Sequence, residues 1–258
     1  MRNVINYPID FRNIPDEVKI YLYIHDDLLE NYPCKNLNEK LVKIENSEIK
    51  TAPFWEDERI YTNDQEIDYL INLEANEMKK YLEKKDSFGI FVRETVKEKL
   101  MLANEYFNSL GYEIVIKIWY RPLEVQRNLF KKVYDFFSKK YKNLSEKDIY
   151  NKTAEFVADP DKFVAPHLTG GAVDILLIRK NWERVNMGCD VNYIGEKANM
   201  TTFNITENER KNREFLALWM LKFWFANLAS EWWHFSYWDP YWAYFYWEKE
   251  SLYNAINF

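Results

Sequence analysis

The chain has 258 residues, 47% hydrophobic and 18% aromatic, enough to close a sizeable core and too apolar for disorder. A formal net charge of -6 excludes a general nucleic-acid binder, and two cysteines, Cys34 and Cys189, exclude a disulfide framework. The N-terminal MRNVINYPIDFRN lacks an apolar h-region, and the longest apolar stretch, FLALWMLKFWFANLA, is short and broken by Lys222 and Asn227. A soluble, cytoplasmic protein with no transmembrane segment is therefore expected, export by a specialised system aside.

Residues 1–87 read as a polar, acidic N-terminal elaboration with aromatic islands at YLYIH and APFW. His25 has only Asp26 and Asp27 near it in sequence and reads as a structural histidine. From Glu94, ETVKEKLMLANEYFNSLG spaces its apolar residues as a helix and stops at Gly111. YEIVIKIWY comes next as a strand, closed by Arg121 and Pro122, and LEVQRNLFKKVYDFFSKKY reads as a second helix with a lysine-rich, solvated face.

A loop with a short helix is expected over 142–163. In PHLTGGAVDILLI the Gly170-Gly171 pair excludes a helix, and Ala172 to Ile178 reads as a buried strand. A third helix begins near Thr206, with Glu209 completing a capping box, and EWWHFSYW returns to strand or aromatic loop. The fold class is α+β, with helices packed on a central antiparallel or mixed sheet. One domain is expected over 1–258, with a catalytic core at 88–240 and an aromatic extension at 241–258. The aromatic tail reads as a hydrophobic wall around the site or on the far side of the sheet.

Three residues carry ligand chemistry. His167 and Asp174 lie seven apart across a glycine turn, and His234 comes from a distant segment. Two histidines and a carboxylate, with a fourth position left to water, make an ordinary catalytic zinc set. Glu231, three residues before His234, is placed to take a proton from that water. Three residues put the pair on one helical face but on opposite faces of a regular strand, so a strand here requires a bulge or entry turn. A histidine satisfied within an aromatic core is the plainer reading of His234 taken alone.

Taken together, HLTGGAVD and EWWH, in that order and with IWYRP upstream, resemble the zinc D-Ala-D-Ala metallopeptidases. That family's motifs are SxHxxGxAxD and, some way on, E-[PW]-W-H. The double tryptophan and NMGCDVNY resemble most closely the D,D-dipeptidase branch, and the likeness spans roughly residues 88–240. It implies a Hedgehog-like and D,D-peptidase-like fold with one zinc ion per chain held by His167, Asp174 and His234. It also implies Glu231 as general base and then acid, and Arg121 as the charge that meets the oxyanion.

Asn192, Asp190 and Trp233 fall on the substrate side of the resemblance. Two departures bear on the substrate amine: Ala165 stands where the family has serine, and Asn192 where it has aspartate, with Asp190 close by. The implied activity is hydrolysis of a small D-Ala-D-Ala type peptide. The alternatives are a D,D- or L,D-carboxypeptidase acting on peptidoglycan stem peptides, or a non-catalytic zinc-containing binding module.

Overall fold

In the computed structural model the residues described are 29, 31–52, 65–85, 89–154, 156–162, 164–193 and 195–256. The island YLYIH with His25, and APFW beyond Ala52, lie outside them.

The centre is a five-stranded sheet built from β2 (Lys50–Thr51), β4 (Tyr112–Ile118), β5 (Ala172–Arg179), β6 (Ala226–Asn227) and β7 (His234–Ser236). Across the sheet the strand order is β2-β4-β5-β7-β6. The β2–β4 pair is parallel and the others are antiparallel, so the sheet is mixed, as the sequence pattern anticipates. A separate antiparallel pair joins β1 (Leu41–Ile44) to β3 (Ile90–Arg93). The run of buried positions along β5 makes it the spine, flanked by β4 and β7.

Helix α2 (Glu94–Ser109) buries Val96, Leu100, Ala103 and Phe107, a helical stripe. It ends where Gly111 takes φ 87°, a conformation that glycine reaches without a Cβ penalty. Asn104, buried on the same helix, accepts from the backbone N–H of Ile114 at 3.1 Å and ties α2 to β4. Between Ile116 and Ile118 the β4–β5 register slips by one residue, a bulge centred on the buried Lys117. Bulges twist a strand locally and re-aim the residues beyond them, here the segment leading to Arg121.

Three helices build a satellite layer: α1 (Gln65–Lys85), α3 (Leu123–Lys140) and α4 (Glu146–Ala154). Leu70, Leu129, Val133, Phe137, Ile149 and Val157 form its own apolar cluster. Helix α5 (Glu207–Lys222) starts at Thr206 with the anticipated capping box, Thr206 Oγ1 accepting from Glu209 N and Glu209 Oε2 from Thr206 N.

The aromatic tail does not stay a loop. Asp239 caps a short α6 (Pro240–Phe245), accepting from Trp242 N at 2.8 Å, and Tyr241 and Trp242 pack inward. Among the described residues no helix is long and apolar enough to cross a membrane.

Candidate metal centre

His167 sits in a 3-10 turn, Pro166–Thr169, between Ala165 and Gly170. Proline fixes the entry, and Gly170, at φ 71°, provides the left-handed exit. Thr169 Oγ1 donates to Pro166 O at 2.6 Å and accepts from Gly171 N at 2.9 Å, closing the turn on itself. Arg93 pins it from β3, donating Nε–H to Thr169 O at 2.7 Å and its backbone N–H to Gly170 O at 2.9 Å.

The turn is also docked on the end of β4. Arg121 N donates to His167 O at 2.9 Å, and His167 Nδ1 lies 3.1 Å from Trp119 O, which leaves Nε2 to face inward. Asp174 and His234 are direct cross-strand partners in the β5–β7 register. Residues opposite each other in an antiparallel ladder project to the same face, so the pairing alone brings carboxylate and imidazole together.

The result is a convergence of three buried donors. His234 Nδ1 is 2.9 Å and His167 Nε2 3.3 Å from Asp174 Oδ1. One ligand atom from each of the three residues lies within 4.8 Å of the others. Zinc–ligand bonds of about 2.0–2.1 Å at tetrahedral angles separate donors by about 3.3 Å, so this set fits one zinc with small adjustments. The outer hydrogen bonds agree with that fit. His167 Nδ1 is taken by Trp119 O, and His234 Nε2 lies 3.1 Å from Ser236 Oγ, orienting each ring by its other nitrogen.

The electrostatics arise from this crowding. Burial pushes His167 below the ordinary histidine range even against Asp174, which favours the neutral ligand form. Burial also opposes charge on His234, but its hydrogen bond to Asp174 wins and raises it. Asp174 is held well below the usual carboxylate range by both histidines, despite burial.

Glu231 does not lie in the strand. It closes a turn, with His234 N donating to Glu231 O at 3.1 Å, and β7 begins only at His234. That entry turn is what lets the two side chains approach, Glu231 Oε2 lying 3.9 Å from His234 Nδ1. Desolvation, reinforced by Asp174 and opposed by His234 and Arg121, pushes the Glu231 carboxyl up to about 7. The side chain keeps 40% of its surface open, so water reaches the carboxylate.

The turn itself rests on a residue that carries no motif in the sequence. Asn227 Nδ2 is 3.3, 3.2 and 3.0 Å from the carbonyl oxygens of Glu231, Trp232 and His234. The available signal is a polar residue interrupting an apolar stretch four positions before the glutamate. Trp232 and Trp233 are both buried, edge-to-face at 5.5 Å, and Ile175 N donates to Trp233 O at 3.0 Å. Arg213 stacks over Trp232 and donates to Met187 O and Asn199 O at 2.6 and 3.0 Å, tying the NMGCDVNY loop to the same turn.

Arg121 is half-buried near the cluster, its charge acting on His167 and Glu231. Of the loop residues, Asp190 is exposed and pairs with Arg184 at 3.6 Å, outside the donor group. Asn192 adopts φ 65°, and its Nδ2 is buried with no partner among the described residues. Ala165, buried, caps the His167 turn without any side-chain hydrogen bond.

A mixed sheet that delivers two imidazoles and a carboxylate to one point, with a second carboxylate alongside, makes a candidate single-metal centre. Residues 58–250 match the Peptidase M15 family, described as D-Ala-D-Ala dipeptidase, and the chain belongs to that family. It is a zinc-dependent peptidase, and His167, Asp174 and His234 form the group able to hold one ion. The match extends past 88–240 in both directions and takes in α1 and α6.

Similar solved structures include a mutant of the vancomycin-resistance D,D-pentapeptidase VanY, from a VanB-type cassette, in complex with Zn(II). It is 17% identical and covers 58% of this chain and 75% of that one, at TM-score 0.37. VanYB in complex with D-alanine-D-alanine is 16% identical over 58% and 72% of the two chains, TM-score 0.37. The LD-carboxypeptidase LdcB is 14% identical over 87% and 88%, TM-score 0.42. No curated protein matches the chain significantly.

Proposed function

We propose that the protein is a D,D-dipeptidase that hydrolyses D-Ala-D-Ala, with Glu231 as its proton carrier and Arg121 as its oxyanion donor. The observation that carries this is the approach of Glu231 to within 3.9 Å of a histidine in the three-donor group. Zinc, when bound, supplies a water whose pKa falls to about 7. Glu231 takes a proton from the attacking water as its oxygen adds to the carbonyl carbon. The same carboxyl returns the proton to the amine nitrogen as the C–N bond breaks. Arg121 donates to the carbonyl oxygen as charge gathers there, the interaction that most lowers such barriers. Trp233 backs the turn that presents Glu231, while Asn192, with its unpaired buried amide, offers a donor on the substrate side.

The second reading is cleavage of longer wall peptides as a carboxypeptidase. Ala165 supplies no hydroxyl, and Asp190 is engaged by Arg184, so little in this loop meets a free substrate amine. The deciding experiment measures D-Ala release from D-Ala-D-Ala by the purified protein, with zinc counted per chain. Release abolished by a chelator, and by Glu231→Ala with zinc retained, supports the dipeptidase. Bound zinc with release only from pentapeptide stems moves the assignment to a carboxypeptidase. A chain that takes up no zinc overturns the assignment of His167, Asp174 and His234.

A further inference from the structure

Helix α1 reaches the site from the N-terminal side of the segment that carries the motifs. Glu74, on α1, accepts from Arg121 Nη2 in an ion pair whose side chains are only 17% and 14% exposed. Arg121 Nη1 donates to Gln126 Oε1 at 2.9 Å, and Gln126 is itself anchored, its Nε2 donating to Ala158 O at 2.8 Å. One N–H of each amino group of the guanidinium is thus committed to a fixed acceptor. The remaining nitrogen, Nε, is buried and has no partner among the described residues. A buried donor without an acceptor is costly, and a water, an ion or a substrate oxygen that reached it would offset that cost.

Helix α1 is firmly seated where it carries Glu74. Tyr69 stacks on Phe136 of α3 at 4.5 Å, and the buried Glu77 accepts from Lys132 of α3 at 2.6 Å. Glu74 therefore hangs from a packed helix rather than a loop. A planar fork gripped at both amino groups has one orientation left, which an exposed arginine lacks.

We propose that Glu74 is a positioning residue: with Gln126 it locks the Arg121 guanidinium so that Nε–H is the donor offered to the reacting carbonyl oxygen. The proposal rests on Arg121 serving as the oxyanion donor. It makes α1 part of the working site, although the helix lies outside the segment that carries the motifs.

The test uses the zinc-loaded full chain. For Glu74→Ala, kcat for D-Ala-D-Ala is expected to fall about 10- to 100-fold with KM within about 3-fold, since a misplaced donor costs the transition state and not ground-state binding. Glu74→Gln, which keeps an acceptor for Nη2, restores most of the rate. In an Arg121→Ala background, itself slowed about 100-fold or more, removing Glu74 costs nothing further.

A second readout needs no substrate. The Arg121 Nε–H resonance exchanges slowly with water in the parent and in Glu74→Gln, and rapidly in Glu74→Ala. An unchanged or faster kcat in Glu74→Ala, a full loss that persists without Arg121, or unaltered Nε–H exchange overturns the proposal. A parent enzyme inactive on D-Ala-D-Ala, or Arg121→Ala at full rate, instead overturns the reading of the site. The exchange measurement then still decides whether Glu74 holds the arginine.

Discussion

Asn227 distributes two amide protons over three carbonyls, and the geometry of Glu231 and His234 depends on it. Asn227→Ala strands those buried acceptors, so a loss of about 2–3 kcal/mol is expected in denaturant unfolding, with kcat falling further than stability alone explains. Ser236 is the partner of His234 Nε2. Ser236→Ala should weaken zinc about 10-fold in a chelator competition while leaving the fold intact. Of this chemistry the sequence displays the three donors that converge, His167, Asp174 and His234, because HLTGGAVD and EWWH together resemble a known family's motifs where each alone is weak. It hides Asn227 and Glu74, whose roles arise from contacts made in space. The Glu74–Arg121 pair spans 47 positions, and no local pattern encodes it.

At the scale of elements, legibility tracks length and periodicity. Helices α2, α3 and α5 and strands β4 and β5 lie where the apolar spacing places them, and Thr206 caps α5 as its motif indicates. Strands β6 and β7 span two and three residues, too few to show a period; β7 forms on the edge that β5 offers, and β6 on the edge of β7 in turn. Helix α1 escapes the sequence pattern for a different reason: its inward face mixes Glu74 and Glu77 with Leu70, Met78 and Leu82, so the stripe that meets the protein is only partly apolar.

Burial opposes the Glu77 charge, but Lys132 and Lys80 outweigh it and hold the carboxyl below its usual range. A carboxyl depressed by folding stabilises above its unfolded value, about 4.3, and that support fades as pH falls through the folded value. Glu77→Gln should therefore be less stable at pH 7, by roughly 1 kcal/mol, and match the parent once the pH has fallen through the folded value. A gap that persists at low pH would mean that packing, not charge, docks α1.

Across the whole molecule, the three donors come from the Pro166–Thr169 turn, β5 and β7, so one ion joins elements that are otherwise linked by backbone pairing. With free zinc at about 100 times Kd, the native state gains about 2.7 kcal/mol, and a chelator should lower the thermal midpoint by ~5–10 °C. Gly171 sits at the joint of these elements, where an added Cβ would meet the Tyr237 carbonyl oxygen. Gly171→Ala should thus lower both the melting temperature and zinc content. The cross-strand pairing of Asp174 with His234 has one more effect. A slip of a single residue between β5 and β7 would turn His234 to the opposite face and dissolve the coordination set. Zinc thereby acts as a proofreader of strand alignment: chains that pair out of step stay metal-free, and metal content in a refolded preparation counts the correctly threaded fraction.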